Sequence, residues 1–158
     1  MRHAKSDWHS GTERDFDRVL NKRGRRAAGE MGLELKNMAA PPDRVVCSPA
    51  LRARQTVERV FLKTGWRLDR LEFDESLYLA SCDELIEVLR RFNDLDIVMV
   101  VGHNPGLEEL MVYLCGSDIE RTRKGKLLTT ANIATIDLGP DGLDIGEEAK
   151  LVELIRPH

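Results

Sequence analysis

The sequence predicts a single-domain α/β protein, a three-layer sandwich with a mostly parallel central sheet and helices on both faces. Three observations predict it. Strand-like and helix-like stretches alternate through most of the chain, the pattern of parallel strands joined by right-handed crossovers. Residues 97–101, "IVMVV", are apolar on both faces, as a central strand covered from both sides requires. At 158 residues the chain fits one core, and a domain of that size buries roughly 70% of its unfolded surface.

Each element has a local reason. The stretch "SDWHSGTERDFDRVL" is polar and turn-rich, and predicts a surface loop. Asn21 is placed to cap a helix running to about Lys36, although Gly24, Gly29 and Gly32 weaken it. "AAPPD" ends that helix, and "RVVCS" reads as a short buried strand between Pro42 and Pro49. From Ala50, the apolar positions Ala53, Val57, Val60 and Phe61 recur at helical spacing. "RLEFDE" is a second strand, and Leu85, Ile86, Leu89 and Phe92 mark a helix after the turn at Ser81. The strand at 97–101 leads into a helix marked by Leu107, Leu110, Met111 and Leu114. A charged loop, "GSDIERTRKGKLLTT", follows, and "ANIATIDL" and "KLVELIR" flank the turn "GPDG" as late strands.

Composition narrows the function. A net charge of -3 with 32% charged residues gives no general attraction to nucleic acid or to an anionic membrane. No apolar run approaches the ~20 residues of a membrane helix, and the start lacks the apolar segment of a secretory signal, so the expectation is a cytoplasmic protein. Cys47, Cys82 and Cys115 are odd in number and widely spaced, which predicts buried, reduced thiols. The four histidines show no HExxH spacing, so no metal site is expected. Nothing in the sequence sets an oligomeric state.

The unusual polar residues fall where ligands bind in an open α/β sheet, beyond the carboxyl ends of the strands. "VVCSPALRARQT" runs strand, Ser48, Pro49, helix; "VMVVGHNPGLEEL" runs strand, Gly102, His103, Asn104, Pro105, helix. Both are expected to place a capping residue, Ser48 or Asn104, before a proline at the first helical position. Two helix N-termini would then face one edge of the sheet, an arrangement suited to an anion. Arg52 lies one turn into the first helix, and His103 in the second turn itself.

Together with "RHAKSDW", "DFDRVLNKRG" and "ESLYLAS", these segments make the chain recognisable. It resembles the histidine phosphatase superfamily, within it the small SixA-like branch that includes phosphohistidine phosphatases. The resemblance implies a phosphoglycerate mutase-like fold, with His3 as nucleophile, Arg2 and Arg52 gripping the phosphoryl oxygens, and His103 completing the phosphate-binding pocket. It implies no cofactor and no metal. Relatives place an apolar strand before the arginine-histidine pair where this chain has Met1, and the expectation is that residues upstream supply it.

These residue types suit phosphoryl transfer, which is driven by positioning and by stabilising charge on the equatorial oxygens. Two guanidinium forks match those oxygens, and a neutral imidazole, favoured by surrounding positive charge, can attack phosphorus. The general acid is expected to be Asp15 or Asp17, whose loop follows the nucleophile; Glu75 and Glu108 are the other options. The expected partner is a phosphorylated protein carrying phosphohistidine, or a small phosphorylated substrate. The alternatives are a phosphatase for a small phosphomonoester and a non-catalytic phosphate-binding module. Arg121, Arg123, Lys124 and Lys126, interrupted by Asp118 and Glu120, are read as a solvated loop.

Overall fold

A computed structural model describes residues 1–144 and 149–158. Strands β1 (Arg44–Cys47), β2 (Leu71–Phe73) and β3 (Val98–Val101) form a parallel sheet in the order β2-β1-β3. Val45 pairs with Leu71 on one side and with Met99 on the other. Strands β4 (Ile133–Asp137) and β5 (Lys150–Ile155) form a separate antiparallel pair. The expected central sheet is therefore built in two parts.

Side-chain alternation along the strands creates the layers. Val45, Cys47, Met99 and Val101 pack on one face with Ala28, Met31 and Leu35 of α1 (Lys22–Lys36) and with Ala53, Val57 and Val60 of α2 (Leu51–Thr64). Val46 and Val100 face the other way, against Leu85 of α3 (Cys82–Arg90) and Leu107, Leu110 and Met111 of α4 (Gly106–Cys115). Each such buried aliphatic side chain contributes about 1.5–3 kcal/mol by leaving water. No helix among the described residues is long and apolar enough to cross a membrane.

The capping residues decide where α1 and α3 begin. The Asn21 side chain accepts from Gly24 N, as its position predicts. Ser81 and Glu84 form a reciprocal capping box at α3. Gly24, which lowers helix propensity, has a packing reason: a Cβ there would lie 2.1 Å from Lys5 O. Helix α1 thus presses directly on the backbone that follows His3. Of the three thiols expected to be buried, only Cys47 is; Cys82 and Cys115 are partly exposed, and all three are free.

Met1–His3 join the two sheets. Gly102 N donates to Met1 O at 3.1 Å and His3 N to Gly102 O at 3.0 Å, a parallel bridge onto the end of β3. On the opposite side Arg2 N donates to Asn132 O, and Ala131 N to His3 O, both at 3.1 Å. A groove of about 660 Å³ continues from Met1 between residues 96–100 and 133–138. Ile97 and Val101 carbonyls accept from the β1 side, so Val98 and Val100 turn their backbone groups to the groove, where Met1 N donates to Val100 O at 2.7 Å. Burial pushes that amine down to about 5 from 8.0.

Gly24→Ala is expected to destabilise the fold by about 1–3 kcal/mol despite alanine's better helix propensity, because Lys5 O must move; a chemical denaturation midpoint at or above wild type would refute the close approach. Extending the chain ahead of Met1 with about five apolar β-branched residues is expected to raise Tm and slow hydrogen exchange at Val98 and Val100. An unaltered Tm would mean that the groove does not accept a strand.

Candidate active site

Three segments converge beyond the carboxyl ends of β1 and β3. Met1–His3 delivers Arg2 and His3, the first turn of α2 delivers Arg52, and the residues after β3 deliver His103 and Asn104. Thr56, fully buried and one turn beyond Arg52, accepts Ala4 N at 2.9 Å and donates to Arg52 O at 2.6 Å. One hydroxyl therefore holds the segment carrying His3 against the helix carrying Arg52.

Hydrogen bonding fixes both imidazole tautomers. His3 Nδ1 lies 2.7 Å from Ala4 O, and a carbonyl can only accept, so Nδ1 carries the proton. Nε2 is left with its lone pair, to which Arg52 Nε donates at 3.3 Å. His103 Nδ1 lies 3.4 Å from Arg52 Nη2, which can only donate, so its proton sits on Nε2 and is given to Ser48 Oγ at 2.7 Å. The two rings stand 5.1 Å apart.

Burial, foremost, drives both imidazoles toward the neutral form. His3 is pushed down to about 3 by desolvation, with His103, Arg52 and Arg2 adding to the effect and the Ala4 carbonyl opposing it. His103 is lowered to about 4 by desolvation and then by Arg52. The positive charge expected to favour a neutral His3 does act, but it is secondary to burial.

Arg52 is 2% exposed and is the hub of the site. Besides the two imidazoles it donates to Asp15 O at 2.8 Å and Asp15 Oδ2 at 3.0 Å. Arg2 donates Nη1 to Leu128 O at 3.1 Å, while its Nε is buried without a partner. Asn104 Oδ1 is likewise buried and unpartnered. Arg2 Nε and one N–H of Arg52 are left without a protein partner, so the cleft can offer both guanidinium groups to an oxyanion beside His3 Nε2.

The carboxylates separate sharply. Asp15 lies in the cleft, where Tyr78 OH donates to Oδ2 at 2.6 Å and Arg18 donates to Oδ1 through Nε at 3.0 Å and Nη2 at 2.8 Å. Burial acts to raise its pKa, but these bonds from Tyr78, Arg18 and Arg52 overcome it and hold the group at about 2. Asp15 is thus a fixed anion that orients two arginines. Asp17 is not brought to the site; it pairs with Arg14 at 3.6 Å. Glu75 is exposed and outside the cleft, and Glu108 accepts Leu128 N at 2.7 Å.

The expected caps are a correction. Helix α2 begins at Leu51 with Ala50 in the cap position, and α4 at Gly106 with Pro105 there; neither has a side-chain cap. Ser48 Oγ does accept Ala50 N at 3.3 Å, but its short bond is to His103. Asn104 Nδ2 donates to Leu128 O at 2.8 Å instead of its own helix. Both residues brace the site. Tyr78 and Arg18 are site residues that sequence reasoning did not single out; Tyr78 also packs edge-on to His103 at 5.5 Å. Among the described residues no group of three His, Cys, Asp or Glu side chains could hold a metal ion.

A family model described as the histidine phosphatase superfamily (branch 1) matches residues 1–78. The uncharacterized protein Rv1276c of Mycobacterium tuberculosis is 34% identical over 150 residues, covering 92% of this chain and 91% of its own length. A solved structure assigned as the phosphohistidine phosphatase SixA of Agrobacterium tumefaciens superposes with a TM-score of 0.85 at 25% identity, over 99% of this chain and 95% of that one. A SixA structure from Nakamurella multipartitia gives a TM-score of 0.77 at 27% identity, over 99% and 93% of the two chains.

In an NMR titration the His3 and His103 rings are expected to protonate at about pH 3 and 4, well below the ordinary 6.5. Unfolded imidazoles take protons from about 6.5 downward while these two do not, so both should contribute stability that declines as pH falls from 6.5 toward 3. Titration of either ring near 6.5 would show that water reaches it freely.

Proposed function

Because the chain belongs to the histidine phosphatase superfamily, in its SixA-like branch, we propose that it is a phosphatase acting on protein phosphohistidine through a phosphorylated His3. The observation that carries this reading is the His3 tautomer: a proton held on Nδ1 by Ala4 O and an unprotonated Nε2 that accepts from the buried Arg52 guanidinium. Arg2 and Arg52 grip the phosphoryl oxygens, and His103, braced by Ser48, bounds the pocket.

In the first step the His3 Nε2 lone pair forms a bond to phosphorus while the substrate's P–N bond breaks. The substrate ring, protonated on its other nitrogen, leaves as neutral imidazole, and His3 becomes a phosphorylated imidazolium whose Nδ1–H stays bonded to Ala4 O. In the second step water attacks phosphorus, the Nε2–P bond breaks, and His3 returns to its neutral form. The water's proton leaves with inorganic phosphate. Neither step routes a proton through a carboxylate.

That economy supports phosphohistidine over a phosphomonoester. An alkoxide must be protonated as it departs, whereas a protonated phosphohistidine releases a base of pKa about 6.5. Asp15, the one acidic side chain among the described residues lining the cleft, is held ionised by Tyr78, Arg18 and Arg52. It is poorly suited to donate a proton to an alkoxide.

Incubation with a phosphohistidine peptide labelled on phosphorus should leave acid-labile, alkali-stable label on the enzyme. His3→Ala is expected to lose that label and at least about a thousandfold in turnover while keeping a native circular dichroism spectrum. Retained turnover in a folded His3→Ala chain would move the nucleophile elsewhere. Faster hydrolysis of phosphomonoesters than of the peptide would overturn the substrate assignment.

A further inference from the structure

Around the anion seat the cleft opens to about 780 Å³, many times the volume of a phosphate ion. Its lining has an unusual charge balance. Nine arginine and lysine side chains face it, with Asp15 as the only acidic side chain among the described lining residues, in a chain whose net charge is -3. Only Arg2, Arg18 and Arg52 belong to the inner site. The rest line the cleft from two stretches of chain: Lys5, Arg23 and Arg26 from the first, and Arg123, Lys124 and Lys126 from the second.

All six of these outer residues are exposed. Arg26 pairs with Glu30 at 3.3 Å; the other five make no side-chain ion pair or hydrogen bond among the described residues. Exposed like charges gathered in this way repel one another through water, and an anionic partner relieves that repulsion. Two apolar side chains share the mouth: Trp8, 73% exposed with the Arg18 guanidinium 3.7 Å from its ring centroid, and Leu79, 56% exposed. Exposed aromatic, arginine and aliphatic contacts beside a charged rim are the composition of a protein-binding surface. The basic loop after α4, read from sequence as merely solvated, forms one wall of it.

We propose that the mouth of the cleft is a docking surface for an acidic polypeptide, so that the enzyme selects phosphohistidine flanked by carboxylates. The proposal rests on the phosphatase reading given above and adds what that reading leaves open, the chemistry around the phosphorylated residue. Both basic groups line the cleft that holds the anion seat, so both are placed to meet carboxylates near the phosphoryl group. Trp8 and Leu79 supply apolar contact beside them.

The test compares two phosphohistidine peptides of equal length, one flanked by glutamates and one by glutamines. At low salt kcat/KM is expected to favour the glutamate peptide by about tenfold, a preference that shrinks as salt rises. It should disappear in the Arg123→Glu/Lys124→Glu/Lys126→Glu variant and weaken in Arg23→Glu. Calorimetric binding of the same pair to the folded His3→Ala chain reads the surface apart from the chemistry. A tenfold binding preference without wild-type turnover upholds the docking surface and overturns the phosphohistidine assignment. Equal binding of the two peptides overturns the docking surface whatever the turnover. Tripolyphosphate binding as tightly as the glutamate peptide also overturns it, in favour of a small polyanion.

Discussion

The architecture depends on keeping one guanidinium out of water. Burying a lone cation costs several kcal/mol, and Arg52, at 2% exposure, is tolerable only because four of its five N–H donors have partners. Asp15 supplies a backbone and a carboxylate oxygen, and two imidazoles supply lone pairs. Asp15 must itself be held, by Arg18 and Tyr78, so the polar loop after His3 folds back over the cleft. Arg18 in turn reaches Ser6 of the same loop and stacks on Trp8. The neutral state of His3 and His103 belongs to the same constraint, because an imidazolium beside the buried cation would add unpaired charge.

The scaffold supplies this arrangement through short, well-anchored connections. Helix α2 carries Arg52 and Thr56 on one face, one turn apart, so a single helix sets both the guanidinium and the segment that bears His3. Gly24 lets α1 close on Lys5 from the other side. Gly106 does the same at α4, where a Cβ would lie 1.9 Å from Ala80 O, near the segment that presents Tyr78. Small residues thus permit close backbone approach around a site whose polar groups need tight spacing.

The layers, the helices and the parallel strands were legible because each is written in local periodicity: the Asn21 cap, the Val98–Val101 run and the Leu85–Leu89 stripe need no distant partner. His3, Arg2, Arg52 and His103 could be nominated from sequence, and the structure brings them into one cleft. What sequence did not reveal is which polar group answers which. Ser48 and Asn104 look like caps because cap residues and bracing residues are chemically the same; only His103 and the Leu128 carbonyl, far away in sequence, decide otherwise. Asp15 and Asp17 look interchangeable until the short helical turn at Asp15–Asp17 directs one inward and the other to Arg14. Tyr78 has no local signal at all, being 63 residues from the carboxylate it holds. The basic mouth escaped for the same reason: its two halves lie about a hundred positions apart in the chain.

Cys47 sits directly before Ser48, fully buried, and burial raises its thiol far above the ordinary range. Oxidants attack the thiolate, and this sulfur stays protonated and shielded. The thiol that precedes Ser48 therefore offers hydrogen peroxide no thiolate to convert to a sulfenic acid, and the groups around the anion seat are guanidinium and imidazole groups, which carry no sulfur.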